Sequence, residues 1–407
     1  MLSFSSYLRI LVVTAALLMS GVVITNLIVN PFAVFQTPEF AGINARKTEF
    51  FKHIRLVKAY QLRNVRPDVI LAGNSRVDMA FDPQHPALTR YAGKAYNSAL
   101  AGATIYEVLR YLQHAHRLNP VKLVVVGLDR SMFESKAQPD FDEAILASSL
   151  DGRATPFPAT QLVRTAMSLD TLIASGETLR RQQDEHARQY RSDGMRLPEN
   201  AERAIEVARG HRVAFSRELT TRDEYAAKPK LSSQYEQMFG YLQLLLKYCR
   251  AEQIELILFI HPLHAWDIEN EWLLGRGESG EEWKRELVKL IADETGASGV
   301  SFPLWDFGGY NTVTMETVPP EGDTKTVMRY YWEPRHYKKL TGDLILDRVL
   351  NYRSDTRPLP GDFGVLLSQT NVDRVIAQAR AQRHDYQQRY QADTKEIGRR
   401  VIADRRF

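Results

Sequence analysis

Residues 68–76 read Asp-Val-Ile-Leu-Ala-Gly-Asn-Ser-Arg. The apolar run Asp68–Ala72 lacks the in-out alternation of a half-exposed strand and suits a buried parallel strand. Gly73 lets the backbone bend sharply at its end, and Ser75 then stands where a helix would begin. Similar units follow. Ala95-Tyr96-Asn97-Ser98 reads as a second short strand or its exit loop. Residues 104–117 carry Ile105, Val108, Leu109 and Leu112 at helical spacing, and 121–128 (VKLVVVGL) is another buried strand. The alternation breaks over about 133–233, which is rich in Arg, Glu, Gln and Ala and without a strand signature. A mostly helical insertion is expected there, serving as a lid or a partner surface. The pattern resumes with a helix at 234–252, a strand at 254–260 (IELILFI), a helix at 281–294, a strand at 300–305 and a helix at 335–350.

Repeated strand–helix units imply an α/β domain, here 67–350, in which a parallel sheet is flanked on both faces by helices. Ligands of such sheets bind outside the carboxyl ends of the strands. Ser75, Asp129, His261 and Asp306 each follow an expected strand and so belong to one rim.

The flanks differ in character. After a short tail (1–9), residues 10–29 (ILVVTAALLMSGVVITNLIV) run without a charge for about the length that crosses a hydrocarbon core as a helix. The run exceeds the usual signal-peptide core, and no A-x-A-like site follows it. An uncleaved transmembrane helix is therefore expected, in preference to a cleaved signal. Arg9 precedes the span, while Arg46 and Lys47 follow at a distance; the charge bias leans toward a cytoplasmic tail. The main domain would then lie outside the cytoplasm, in the periplasm, on an inner-membrane anchor. A juxtamembrane segment (30–66), helical from 47 to 65, leads into the domain. Residues 351–407 read as a charged helical tail with Val372, Val375, Ile376 and Ala379 as a thin apolar stripe, expected to be solvated or to bind a partner rather than to join the core.

The 407 residues carry a net charge of +4, with 44% hydrophobic and 25% charged residues. That is a globular composition. There is no compact basic stripe with interleaved aromatics, so nucleic-acid binding has no support. The one cysteine, Cys249, cannot form an internal disulfide.

Two signals carry chemistry. The first is Gly73-Asn74-Ser75-Arg76. A serine on a strand-to-helix turn can act as a nucleophile whose own N–H faces a developing oxyanion; it can also simply cap the helix. Val77 stands where the G-x-S-x-G elbow has glycine, so this is not that motif. The second is Glu333-Pro334-Arg335-His336, a histidine with an acid three residues before it. Brought together, Ser75, His336 and Glu333 make a nucleophile, a base and an orienting acid. His261 and His264 at a strand end raise the alternative of a metal site with Asp306 or Asp129, but no companion ligand motif accompanies them, and a rim role is preferred. No metal and no cofactor is expected. Trp266, Trp272, Trp305 and Tyr310 are a possible sugar-stacking surface, with burial in the core the commoner use of such residues.

Taken in order, these blocks resemble the SGNH (GDSL-like) hydrolase superfamily, over about 67–350 and interrupted by the insertion. Gly73-Asn74-Ser75-Arg76 resembles the family's nucleophile block. Asn97-Ser98-Ala99-Leu100-Ala101-Gly102 is similar to the block whose glycine N–H joins the oxyanion hole. Trp332-Glu333-Pro334-Arg335-His336-Tyr337 resembles the Asp-x-x-His block, with glutamate for aspartate. The block that normally ends in an oxyanion-hole asparagine reads Gly127-Leu128-Asp129, and an ionised aspartate cannot donate that hydrogen bond. The resemblance implies a flavodoxin-like three-layer fold and catalysis by Ser75, His336 and Glu333. The oxyanion donors would be Ser75 and Gly102, with Asn97, Asp129, His261, His264 and Asp306 as rim or substrate residues. A membrane-anchored domain of this kind would be an esterase or O-acyltransferase acting on acyl esters of envelope or exported glycans, with a multispanning membrane acyltransferase as the partner the resemblance implies. The rival reading is a non-catalytic envelope protein that keeps the fold as a scaffold or glycan- or partner-binding module.

Overall fold

The computed structural model describes residues 3–404, apart from 92, 157 and 227–231. Its centre is a six-stranded sheet made of β1 (Val69–Ala72), β2 (Ala95–Asn97), β3 (Leu123–Leu128), β4 (Glu255–Ile260), β5 (Leu304–Asp306) and β6 (Val365–Leu367), ordered β2-β1-β3-β4-β5-β6. The first five strands are parallel. β1 pairs with β3 from Val69↔Leu123, and β3 with β4 from Leu123↔Glu255. The order reverses at β1, which has β2 on one side and β3 on the other. In doubly wound sheets that crevice is where ligands bind.

Alternation along the strands builds two cores. On one face Ile70, Ala72, Val124, Val126, Leu256 and Leu258 pack beneath α2 (Ile54–Val65), α4 (Ile105–Leu118), α10 (Ser232–Ala251) and α12 (Gly277–Ser298). On the other face Val69, Leu71, Leu123, Val125, Ile257 and Phe259 meet α3 (Ser75–Ala80), α13 (Lys339–Val349) and the loops after β5. α4 begins on a capping box, Thr104 with Glu107, which satisfies two backbone donors of its first turn. The strand and helix expectations thus hold in kind. Boundaries move: the helix expected from 47 starts at Ile54, the strand expected at 300–305 is Leu304–Asp306, and the helix expected from Arg335 starts at Lys339, because residues 331–337 close a small hairpin instead.

The insertion contains α6 (Ala159–Met167), α7 (Leu169–Arg180), α8 (Glu199–Ala208) and α9 (His211–Ala226), after a short α5 (Ser131–Glu134). It also has two isolated antiparallel bridges, Ser148↔Ala154 and Tyr190↔Arg196. Phe215 and Leu219 of α9 enter the second core, so this helix belongs to the domain.

The reading of 351–407 as a solvated or partner-binding tail is corrected. β6 closes the sheet antiparallel to β5. α14 (Val372–Arg389) buries Val372 and Ile376 in the first core, and α15 (Gln391–Asp404) buries Ile397 in the second. The thin apolar stripe is narrow because only one edge of α14 touches the body. The helix expected at 10–29 spans Phe4–Val29 (α1). Among the described residues it is the one helix long and apolar enough to cross a membrane, a property that a signal sequence shares.

One buried ion pair joins the pieces. Lys58 of α2 bonds Asp78 of α3 at 2.7 Å, and both side chains are fully buried. Lys58 also donates to the Ala99 carbonyl at 2.6 Å, and Tyr190 of the insertion donates to Asp78 at 2.8 Å. Burial draws the Lys58 ammonium below its ordinary range, against the pull of Asp78. Removing one partner strands a buried charge, whereas removing both charges does not. Lys58→Met is expected to cost about 3–5 kcal/mol in denaturant unfolding of the full chain in detergent. Lys58→Met combined with Asp78→Asn should recover a large part of that loss.

Candidate active site

The turn after β1 is forced by packing as well as by conformation. Gly73 has φ of +148°, and a Cβ there would lie 2.7 Å from Val77 Cγ2 and 3.0 Å from the Gly127 carbonyl. Asn74 caps α3 by accepting from the Arg76 N–H at 3.1 Å, which leaves Ser75 as the first helical residue with its hydroxyl not used in the cap. α3 has only six residues, so its macrodipole is small and the local N–H groups matter more.

Across from it, the 331–337 hairpin is pinned by the Tyr331↔Tyr337 bridge and by Trp332 N–H donating to the His336 carbonyl at 2.9 Å. Glu333 sits at its tip. Its Oε1 accepts from the His336 backbone N–H at 2.9 Å, and its Oε2 from the Arg335 N–H at 3.0 Å. The same Oε1 meets His336 Nδ1. Nδ1 faces an acceptor-only carboxylate and so carries the proton, leaving Nε2 to accept. Ser75 Oγ lies 2.8 Å from that Nε2, although the two residues are 261 positions apart. Burial works against ionisation of Glu333, but the His336 ring and the Arg335 N–H outweigh it and hold the carboxyl below its ordinary range. The longer arm of glutamate is used here to clasp its own loop while reaching the ring.

The loop carrying Gly102 is set by α2 and β1. Ser98 N–H donates to the Leu71 carbonyl at 2.9 Å and Leu100 N–H to the Gly73 carbonyl at 3.1 Å, so the loop runs beside the serine turn. The carbonyl of Ala99 turns to Lys58, and that of Ala101 accepts from Arg55 at 3.0 Å. Gly102 takes φ of +65°. Among the described residues, neither the Ser75 nor the Gly102 backbone N–H has an acceptor.

The other expected rim residues make bonds within the fold. Asn97 is fully buried and donates to the carbonyls of Val77 and Phe81, holding α3 from below. Asp129 accepts from Arg76 at 2.5 Å and from the Ser131 N–H at 2.8 Å. Arg76 in turn donates to the Arg335 carbonyl at 2.9 Å, so this pair links the end of β3 to the histidine hairpin. His261 is buried, and burial followed by the nearby Arg76 charge keeps its ring neutral; its Nδ1 bonds the Tyr337 hydroxyl at 2.8 Å. His264 caps α11 (Ala265–Leu273) and bonds the Glu316 carbonyl at 2.7 Å. Its ring is pulled down to about 4 by burial. Asp306 pairs with Lys284 at 2.6 Å and lies three strand positions from β1, about 14 Å away. Among the described residues, no three His, Cys, Asp or Glu side chains gather as metal ligands. The sugar-stacking surface is not formed: Trp266 and Tyr310 are buried in the body, Trp266 edge-on to Phe215. A cavity of about 180 Å³ is lined by Leu128, Asp129, Ile260, Leu263, Trp272 and Arg335, the last of which precedes His336 in the hairpin.

Sequence reasoning missed Glu218. It lies on α9, which crosses the histidine hairpin: His211 bonds the Trp332 carbonyl at 3.0 Å, and Phe215 packs edge-on to His264. Glu218 is half-buried near the Glu333 and His336 side chains. No motif marks it, since α9 lies in the insertion, far in sequence from every block of the site. No protein-family model and no curated protein matches this chain.

Burial first, and then the Glu333 charge, push the Glu218 carboxyl up from 4.5 to about 6. The folded protein therefore binds this proton more tightly than the unfolded chain, and stability falls as pH rises from about 4.5 to about 6. Glu218→Gln should be more stable than the parent by about 1–2 kcal/mol at neutral pH and indistinguishable near pH ~4. Thermal unfolding at the two pH values checks this.

Proposed function

We propose that this protein is a membrane-anchored serine esterase or O-acyltransferase of SGNH type, acting on acyl esters of cell-envelope or exported glycans. The observation that carries the proposal is the hydrogen-bonded series Ser75 Oγ, His336 Nε2, His336 Nδ1 and Glu333, at the carboxyl end of β1. His336 takes the Ser75 proton as the hydroxyl attacks the ester carbonyl. Glu333 fixes the ring's tautomer and stabilises the imidazolium. The N–H groups of Ser75 and Gly102 stabilise the oxyanion. The protonated ring then returns its proton to the leaving alcohol, and an acyl-enzyme remains. Water as acceptor makes an esterase; a carbohydrate hydroxyl makes a transferase.

Asp129 bears on the rival, non-catalytic reading. It stands where the family carries a donor, yet its carboxylate is committed to Arg76, which ties the nucleophile turn to the histidine hairpin. A residue that braces two catalytic segments is compatible with activity, provided backbone donors suffice. The anchor is α1, retained as a single span of the inner membrane with the domain on the periplasmic side, where a multispanning acyltransferase is a fitting partner. The length and apolarity of α1 support this reading.

A fluorophosphonate probe tests the chemistry. Labelling of the folded parent is expected, with loss of the label in Ser75→Ala and His336→Ala; an unlabelled parent would favour the scaffold reading. Turnover of an activated ester by Glu333→Gln should fall about 10³–10⁴-fold, as expected when the ring loses its fixed tautomer.

A further inference from the structure

The segment of α1 from Phe4 to Gly21 is exposed almost all round, but its last two turns are clasped by the domain. The bare part is about 18 residues, or ~27 Å at ~1.5 Å per residue, close to the thickness of a hydrocarbon core. Beyond it, Asn26 donates to the carbonyls of Ala166 and Ser168 at 2.9 and 3.1 Å and accepts from the Ser175 hydroxyl at 3.1 Å. These bonds lock α6 and α7 against the helix. Asn44 donates to the Ile28 carbonyl at 2.7 Å and Lys47 to the Asn30 carbonyl at 3.0 Å, fixing the turn after α1 in the same way. The parts fastened there are apolar on their outer faces. Val163 and Met167 of α6, Leu169 and Ile173 of α7, and Phe40 of the turn are exposed, Leu169 and Ile173 by 69% and 73%. The inner faces of the same helices carry Ala166, Ala174 and Ser175, which are buried.

We propose that α6, α7 and the turn at Phe40 form a collar that embeds in the lipid headgroup region around the exit of α1, so that the catalytic domain is held at a fixed height and tilt on the bilayer. Its occupant is lipid, because the collar begins where the bare length of α1 has used up the hydrocarbon core and is continuous with that surface. Leucine and isoleucine side chains at this level bury themselves about 5–10 Å into the boundary between headgroups and acyl chains. The exposed Arg164 on α6 sits among them as a cation suited to lipid phosphate. Asn26, a polar side chain near the end of an apolar helix, is satisfied entirely by the collar, as a membrane-level amide must be. One helix alone would leave the domain free to swing; a collar rigidly bonded to it does not. The active site would then meet substrates at a set distance from the membrane surface.

The collar rests on the reading of α1 as a retained anchor, and the test separates the two. Cys249 is buried and its thiol is pushed up to about 12 by burial, so a cysteine added at the surface can be labelled alone. The full chain, reconstituted in phosphatidylcholine–phosphatidylglycerol vesicles, would carry an environment-sensitive fluorophore at Leu11→Cys in the span, at Leu169→Cys or Ile173→Cys in the collar, or at Leu366→Cys on the exposed edge strand. Lipids bearing a nitroxide near the headgroup serve as quencher for the collar and Leu366 positions, and lipids bearing one deep in the acyl chain serve for Leu11. Loss of emission and a blue shift at both collar positions and at Leu11, with neither at Leu366, would support the proposal. Quenching at Leu11 with the collar positions behaving like Leu366 would overturn the collar and leave the anchor standing. An unquenched Leu11 would remove the anchor and the collar together.

Discussion

A lysine held out of water organises this molecule. Lys58 can remain charged in the interior only if Asp78 stays beside it and the Ala99 carbonyl stays within reach. Those two partners sit on the helix that carries Ser75 and on the loop that carries Gly102, and Tyr190 brings the insertion to the same carboxylate. Four segments distant in sequence are therefore bound to one charge. Misplacing α2 or α3 leaves an unpaired ion in a low-dielectric interior, a cost measured in several kcal/mol, and misplacing the loop or the insertion removes a hydrogen bond from that pair. Arg55, one turn before Lys58, repeats the device at Ala101 and pairs with the buried Glu107 at 2.6 Å. α2 is thus the platform on which the loop carrying Gly102 rests.

The histidine side of the site depends on a second set of buried charges. Arg76 spans from Asp129 to the Arg335 carbonyl, and Arg335 reaches Asp267 at 2.9 Å. The residues that directly follow the serine and precede the histidine are both arginines, each neutralised by an acid from a different strand end or helix. Their bonds fix the gap between the segment carrying Ser75 and the hairpin carrying His336. This accounts for an aspartate at the end of β3: with an arginine following the serine, a carboxylate there completes a pair, and an amide would leave the guanidinium short of its counter-charge.

Much of this was legible in the chain, for identifiable reasons. Strands β1, β3 and β4 are short continuous apolar runs ended by turn residues, a pattern that burial on both faces produces. The serine and histidine were legible because local motifs mark them. β6 was not: Val365–Leu367 is three residues long and partly exposed, and pairing with β5 rather than its own pattern makes it a strand. Residues 335–338 look helical in sequence, but the Tyr331↔Tyr337 bridge and the bonds from Trp332 N–H to the His336 carbonyl and from Lys338 N–H to the Tyr330 carbonyl hold them in a hairpin. Glu218, Arg55 and Lys58 carry no motif, because their meaning lies in contacts between distant segments. His264 and Asp306 were read as rim residues from their place at strand ends, and Asn97 from the block it shares with Gly102. Position alone did not reveal that their polar atoms were already used inside the fold.

The central claim is that Ser75 becomes acylated with His336 as its base, and covalent mapping tests it most directly. The full chain would be incubated with p-nitrophenyl acetate, quenched in acid, digested, and its peptides weighed. The account predicts one added acetyl group on the peptide containing Ser75, absent in His336→Ala. An acetyl group found only on lysines or the chain terminus, equally in parent and variant, would contradict it.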